Sequence, residues 1–236
     1  MDYIFTTYFT SGNDPQRSGS WPSNDFNIIK DFYNSVVQHE LNCVILHDHC
    51  STEFIEQYST DKVTFIKVDK VLLNMVDYRW KLYHNLLEEM TEIKNVYFLD
   101  ISDVIILKNP FNLMEEDVLY IGNEESIIEE NTFMMERFQM LGIDPTEYVD
   151  DRVLNCGIFG GNRTMMLEAT EAIANILETA NITKTTADMA AANEVVYRNY
   201  ADKFISGLPL NTKYRGGAFP FKGKNNNADK AWIQHK

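Results

Sequence analysis

The sequence predicts an α/β protein built on a twisted, mostly parallel β-sheet flanked by helices. Two patterns support this. Short apolar runs rich in β-branched and aromatic residues alternate with longer segments that carry apolar residues at helical spacing. This alternation is typical of parallel sheets, because neighbouring parallel strands need a crossover between them. The 236 residues are enough for one large hydrophobic core, and we find no linker, so we expect a single domain.

The first half of the chain predicts a regular series of elements. Its apolar runs predict strands at Tyr3–Tyr8, Asn42–His47, Val63–Val68, Val96–Leu99 and Val104–Leu107. Helical spacing of apolar residues predicts helices from Phe26 to Val37 and from Tyr78 to Met90, with a short helix after the second strand. Residues 10–23 form a polar loop, and a loop of that length in a compact domain is usually functional or mobile.

The second half of the chain is less regular. We predict strands at Val118–Ile121, Val153–Phe159 and Phe204–Ser206, and helices at Asn131–Leu141, Thr164–Leu177 and Asp188–Arg198. From Gly216 onward glycine, asparagine and lysine dominate, and we predict no regular structure there.

The composition limits the compartment and the partners. A formal net charge of −14 argues against nucleic acid or an anionic membrane surface as the main partner. The three cysteines form no plausible disulfide framework, which predicts a reducing compartment. The N-terminus lacks a basic region, and no window approaches the roughly 20 apolar residues of a membrane span. We therefore expect a soluble, cytoplasmic protein without direct membrane insertion.

The charge is unevenly distributed along the chain. Residues 115–151 hold twelve acidic residues and one base, whereas residues 213–236 hold six basic residues and one acid. A basic tail on an acidic protein is either a site for an anionic ligand such as a diphosphate or a solvated, flexible end.

The most informative segment is Asn95–Phe111, in which two carboxylates separate two apolar runs. Asp100 and Asp103 are costly to place between buried strands unless something pairs with them. Residues three apart in one strand face opposite sides, so the backbone must turn if both carboxylates face one site. Convergent carboxylates at a strand end suit Mg²⁺ or Mn²⁺. The alternative is a polar turn in which one aspartate caps a helix.

The ordered set of motifs resembles the GT-A glycosyltransferases, which transfer a sugar from a nucleotide diphosphate and use a Rossmann-like sheet. The stretch Tyr97–Val104, followed by Asn109-Pro110-Phe111, is similar to the acidic metal-binding motif of that family, with Asp-x-x-Asp in place of the common Asp-x-Asp. Leu154–Gly161 resembles its Asn-x-Gly element. Asp188–Asn193 resembles its Asp-Gln-x-x-x-Asn helix start, with Met189 in place of Gln.

The closing segment of the chain also resembles that family, at Gly207–Asn211 and Trp232–Lys236. The resemblance implies a GT-A type domain over residues 1–236, with a nucleotide-binding half (1–115) and a sugar and acceptor half (116–236) that ends in the basic tail. It implies a metal site of Asp100, Asp103 and His235, and the histidine favours Mn²⁺ over Mg²⁺. Lys222 and Lys236, with Lys224, are expected to close over the diphosphate.

Further site residues are predicted from the ends of the strands and from the same motifs. The nucleotide is expected to contact Thr6, Thr7, Tyr8, Asp48, Arg79 and Asp100. Arg79 either reaches a phosphate or is an ordinary surface cation. Asn155 and Gly157 are expected to contact the donor sugar or the acceptor. Asp188, with Asp151 behind it, is the predicted catalytic carboxylate, and its alternative role is a helix cap.

The sequence thus predicts a metal-dependent glycosyltransferase that uses a nucleotide-diphosphate sugar, with a UDP-sugar favoured, and a saccharide or glycan acceptor. Two alternatives stay open: a sugar-phosphate nucleotidyltransferase and a non-catalytic protein that binds nucleotides or sugars. The first usually carries a basic, glycine-rich loop after its first strand, whereas the loop here holds only Gly12, Arg17 and Gly19.

Overall fold

The computed structural model describes residues 1–11, 21–69, 74–210 and 230–235. The strands in this part of the chain are β1 (Asp2–Tyr8), β2 (Asn42–His47), β3 (Val63–Lys67), β4 (Asn95–Leu99), β5 (Val104–Ile106), β6 (Leu119–Ile127), β7 (Arg152–Asn162), β8 (Phe204–Ser206) and β9 (Ile233–His235). The helices are α1 (Phe26–Gln38), α2 (Thr52–Tyr58), α3 (Met75–Glu89), α4 (Thr132–Leu141), α5 (Arg163–Ala180) and α6 (Asp188–Asn199), with a 3-10 helix at Pro110–Leu113.

A seven-stranded sheet with the order β3-β2-β1-β4-β7-β6-β8 forms the centre of the described structure. The pairs β1–β2, β1–β4, β2–β3 and β6–β8 are parallel, whereas β7 is antiparallel to both of its neighbours. The predicted α/β class with a mostly parallel sheet is confirmed. The reversed direction of β7 was not predicted, because a strand buried on both faces shows the same apolar run in either direction.

Alternate residues of the central strands face two separate layers of the core. Ile4, Ile45 and Tyr97 pack on the side of α1. Their neighbours in sequence, including Phe5 and Phe98, pack on the side of α3, α5 and α6. This alternation follows from the period of two residues in an extended strand. Both faces of the sheet are therefore covered, and its ligand-accessible parts are the ends of the strands.

A small second sheet consists of β5 and β9, which pair antiparallel with Val104 opposite His235. The prediction of no regular structure after Gly216 is wrong for β9. This strand is only three residues long, and its partner lies about 130 positions earlier, so no local pattern marks it. The predicted strand at Val118–Ile121 is the start of the nine-residue β6, which continues to Ile127 past a register shift.

Two predictions about the environment of the chain can be compared with the structure. Cys43, Cys50 and Cys156, the three cysteines of the chain, are all free thiols. Within the described ranges, no helix has both the length and the apolar character needed to cross a membrane. The compartment itself stays a prediction.

Candidate metal centre

The turn after β4 brings two carboxylates to the same side of the chain. Asp100 directly follows β4, and its backbone N–H donates to the carbonyl of Gly157 at 3.0 Å. Asp103 directly precedes β5, and its carboxylate accepts a hydrogen bond from the Ser102 hydroxyl at 2.8 Å. The backbone therefore turns between the two aspartates, as the three-residue spacing requires if both face one site.

A histidine from the other end of the chain completes a cluster of three potential ligands. β9 holds His235 opposite Val104, the residue that follows Asp103. One donor atom from each of Asp100, Asp103 and His235 lies within 4.8 Å of the others. The His235 Nε2 atom is 3.8 Å from Asp100 Oδ2. The structure thus brings these three residues together, and their role as metal ligands stays a prediction.

The surroundings of the cluster fit a bound cation. Gly157 lies beside two of the potential ligands. A Cβ atom at this position would be 2.7 Å from His235 Nε2 and 2.9 Å from Asp100 Oδ2. Such distances are shorter than real Cβ contacts, so only glycine leaves this space open to an ion and its ligands. Two carboxylates and one imidazole form a donor set that suits Mn²⁺ or Mg²⁺, both of which retain positions for substrate oxygens.

Arg79 links this cluster to a second carboxylate, on α6. Its two terminal nitrogens contact Asp100 Oδ1 at 2.5 Å and Asp188 Oδ2 at 2.8 Å. Burial alone would lower the pKa of Arg79, but the two carboxylates raise it well above its ordinary value. Arg79 donates a hydrogen bond to Oδ1 of Asp100, and the Oδ2 atom of the same carboxylate faces His235. One aspartate therefore serves both an ion pair and the candidate metal site.

Asp188 is buried at the first position of α6, with 2% of its surface exposed. The Cys156 thiol donates to the same Oδ2 atom that binds Arg79, at 3.5 Å. The alternative role considered for Asp188 was to cap its own helix, but no side chain of the segment just before α6 caps it. The N–H groups of Ala187 and Asp188 donate to Asp77 of α3 at 3.0 and 3.1 Å. Sequence reasoning missed Asp77, since its position on α3 gives no sign of a contact 110 residues away.

Asp77 is itself buried, with 3% of its surface exposed. Burial and the nearby charge of Asp188 raise the pKa of Asp77 to about 7, although hydrogen bonds from Asn74, Ala187 and Asp188 lower it. A carboxyl group with this pKa changes its protonation state in the neutral pH range.

The predicted sugar-contacting residues adjoin the metal cluster. The Asn155 side chain accepts a hydrogen bond from the Gly157 N–H at 2.9 Å and donates to Glu124 at 3.0 Å. These bonds fix the orientation of Asn155 on β7. Glu124 was not predicted, because it lies within an acidic stretch in which nothing distinguishes it from its neighbours.

The predicted nucleotide-binding residues of β1 mostly make internal contacts. Thr6 and Tyr8 are fully buried. The Thr6 hydroxyl donates to the Leu99 carbonyl at 2.6 Å, and the Tyr8 hydroxyl donates to the Pro22 carbonyl at 2.9 Å. Thr7 is half-buried, with its hydroxyl next to the Tyr83 phenol. Nucleotide contact by these residues stays a prediction.

Asp48, at the end of β2, holds the beginning of the loop after β1. Its carboxylate accepts hydrogen bonds from the backbone N–H groups of Thr10 and Ser11, at 2.9 and 3.0 Å, and from the Ser11 hydroxyl at 2.5 Å. Although burial raises the pKa of Asp48, these hydrogen bonds lower it below its ordinary value overall. Base recognition by Asp48 stays a prediction.

The remaining predicted residues lie outside this group. Asp151 is exposed just before β7, six residues before Gly157, which is roughly 20 Å along an extended strand. Its catalytic role stays a prediction. Lys222 and Lys236, with Lys224, lie outside the described residues.

Comparisons with known proteins do not identify a family. No protein-family model matches this chain, and a search of the curated proteins finds no match. The geometry of the site and the sequence motifs are therefore the observations that bear on its function.

Proposed function

We propose that this protein is a divalent-metal-dependent glycosyltransferase of the GT-A type, which moves a sugar from a nucleotide-diphosphate sugar to a saccharide or glycan acceptor. A UDP-sugar is the favoured donor. The observation that carries the proposal is the cluster of Asp100, Asp103 and His235, whose donor atoms lie within 4.8 Å of one another.

The position of the cluster in the sheet supports the proposal. Strands β2 and β3 extend from one side of β1, and β4 lies on its other side. The order of the strands therefore reverses between β1 and β4, and in open α/β sheets ligands bind at such a reversal, outside the carboxyl ends of the strands. Asp100 directly follows the carboxyl end of β4. A nucleotide bound in this crevice would bring its phosphates to the metal cluster.

The donor set fits the chemistry of sugar transfer. The bond between the anomeric carbon and a diphosphate oxygen breaks, so negative charge develops on the leaving diphosphate and positive charge on the sugar. A cation held by Asp100, Asp103 and His235 would stabilise the diphosphate as a Lewis acid. Two carboxylates balance the charge of such an ion, and three protein ligands leave coordination positions for phosphate oxygens.

Arg79 and Gly157 prepare the cluster for that ion. Arg79 holds one oxygen of Asp100, so that rotation of the carboxylate away from the site would break a buried ion pair. Gly157 leaves the space between Asp100 and His235 free of side-chain atoms. Arg79 thus orients one ligand, and Gly157 keeps the space for the ion open, before the substrate arrives, which lowers the cost of binding.

Asp188 is the carboxylate proposed to act on the sugar side of the reaction. Arg79 connects it to Asp100, so it adjoins the metal cluster. It serves either as the general base for the acceptor hydroxyl or as the carboxylate on the opposite face of the sugar. We expect Asp188→Asn to retain donor binding and to lose transfer. Unchanged turnover in this variant would remove Asp188 from the mechanism.

Thermal-shift measurements with UDP and GDP, each with and without Mn²⁺, test the proposal first. We expect UDP to stabilise the protein in a Mn²⁺-dependent manner, and we expect Asp103→Asn to lose this stabilisation. Glu168→Gln, on the exposed side of α5, is a matched control that should retain it. A preference for nucleoside triphosphates would indicate a nucleotidyltransferase, and no response to any nucleotide would contradict the proposal.

Release of nucleoside diphosphate from a panel of nucleotide sugars tests the activity itself. We expect release to depend on Mn²⁺ or Mg²⁺ and to rise when the correct saccharide is added. Metal-dependent binding of UDP without release from any donor, with any acceptor of the panel, would leave a binding protein and refute the proposed transfer.

A further inference from the structure

Helix α3 holds the start of α6 at two points. Asp77 accepts hydrogen bonds from the backbone N–H groups of Ala187 and Asp188, and Arg79 binds the Asp188 side chain. The backbone and the carboxylate of the same residue are therefore both fixed by side chains from α3. A displacement of either contact would change where the Asp188 carboxylate points.

We propose that Asp77 is a positioning residue, which fixes the first turn of α6 so that the Asp188 carboxylate faces Arg79 and the metal cluster. The inference rests on the proposed function, in which Asp188 acts on the sugar. Asp77 makes hydrogen bonds with Asn74, Ala187 and Asp188, and these three residues are not ligands of the cluster. It acts through the helix start.

The start of α6 depends on Asp77 because its own sequence offers no cap. The residue before the helix is Ala187, whose methyl side chain cannot accept a hydrogen bond. The first N–H groups of a helix need acceptors, and a carboxylate near them also interacts favourably with the helix dipole. Asp77, on α3, supplies both the acceptor oxygens and the carboxylate near the helix start. Each of the five helices α1 to α5 instead begins with a capping side chain from the residue just before it, for example Asn131 at α4.

The hydrogen-bond partners of Asp77 named here are all donors, so the carboxylate holds this turn as an acceptor. An ionised carboxylate only accepts hydrogen bonds, whereas its protonated form has one oxygen that donates. Asn74 is itself fixed by the carbonyls of Ile182 and Thr185, so it keeps its N–H directed at Asp77. With three N–H partners, Asp77 has no acceptor for a proton of its own among these contacts.

Asp188 on α6 is a charged group that acts on Asp77 directly. Asp188 is in turn bound by Arg79 of α3 and by the Cys156 thiol of β7. Arg137 on α4 binds the carbonyl of Thr186, the residue before Ala187, at 2.8 Å. The nearby Asp188 opposes the ionisation of Asp77, and burial opposes it more strongly, so the hydrogen bonds to the start of α6 offset part of the cost of a buried charge.

Hydrogen exchange at the start of α6 tests the inference without any assay of transfer. At one fixed pH, we expect the protection factors of the Ala187 and Asp188 amides to be lower in Asp77→Asn than in the wild type, because an N–H donor replaces one acceptor oxygen of Asp77. Those at the start of α4, which Asn131 caps, should be the same in both proteins. Asp25→Asn, which changes the carboxylate cap of α1, should leave the protection at α6 unchanged. Equal protection of the Ala187 and Asp188 amides in Asp77→Asn and in the wild type would overturn the proposal.

Kinetics then separate positioning from general stability. With an active nucleotide sugar, we expect Asp77→Asn to lower kcat roughly ten- to a hundredfold, the effect of displacing a reacting group by about 1 Å, and to leave the KM for the donor and the affinity for Mn²⁺ unchanged. Asp77→Glu, which keeps the charge, should recover part of kcat. An equal loss of kcat and donor affinity at every pH would show a structural role only. If the wild type transfers no sugar, the proposed function fails, while the exchange experiment still decides the role of Asp77.

Discussion

Gly157→Ala is the substitution that tests the geometry of the candidate metal centre most sharply. The new Cβ would lie 2.7 Å from His235 Nε2, about 0.7 Å short of the 3.4 Å at which ordinary contact begins. Metal–ligand distances tolerate deviations of only about 0.2 Å, so a ligand displaced by this much cannot keep its bond. We expect Mn²⁺ affinity to fall roughly ten- to a hundredfold, or about 1.4–2.7 kcal/mol.

Isothermal titration of Mn²⁺, in the presence of UDP, measures this loss directly. Gly161→Ala is the matched control on the same strand, because the nearest neighbours of its Cβ would be the Leu119 and Met166 side chains and the Val118 carbonyl, which are not ligands of the cluster. We expect Gly161→Ala to bind Mn²⁺ as tightly as the wild type. Equal Mn²⁺ affinities of the folded Gly157→Ala variant and the wild type would refute the argument that Gly157 keeps the space between the ligands open.

Three further predictions follow from buried or charged groups near the site. Arg79→Met leaves Asp100 and Asp188 without their shared partner. We expect the free energy of unfolding to fall by about 3–5 kcal/mol and the Tm, measured by calorimetry, to fall by roughly 6–20 °C. An unchanged Tm would contradict the ion pairs that Arg79 makes with both carboxylates. The pKa of Asp77 is raised in the folded state, so between about pH 4 and 7 Asp77 binds more protons in the folded protein than in the unfolded chain. The contribution of Asp77 to stability therefore falls as the pH rises through that window. Denaturant titrations should show this slope in the wild type and a smaller one in Asp77→Asn, and parallel curves would refute it. Burial raises the pKa of the Cys43, Cys50 and Cys156 thiols. We therefore expect these thiols to react slowly with a disulfide reagent at pH 8 until the protein unfolds. Fast labelling of Cys43 or Cys156 in the folded protein would contradict their burial.

The parts of the fold that depend on local sequence could be predicted. Strands β1, β2 and β4 are largely buried on both faces, and their apolar runs mark them directly. Asp100 and Asp103 could be singled out because carboxylates rarely interrupt such runs. His235 was proposed only from the resemblance to a family, since its neighbour in space, Val104, is about 130 residues away in sequence.

The contacts that the sequence could not predict all join distant segments. Asp77 and Ala187 are 110 residues apart, and Arg79 and Asp188 are 109 residues apart. Helical spacing placed these residues on helices, but it does not determine which helix starts lie next to each other. The direction of β7 was likewise set by its partners β4 and β6 rather than by its own apolar residues.

A crystal structure of the protein with Mn²⁺ and UDP, recorded with anomalous scattering from manganese, tests whether Asp100, Asp103 and His235 bind the metal. We expect one strong anomalous peak about 2.0–2.3 Å from a carboxylate oxygen of Asp100, a carboxylate oxygen of Asp103 and the His235 Nε2 atom, with diphosphate oxygens in the remaining positions. Manganese bound with the diphosphate at a place remote from Asp103 would contradict the account.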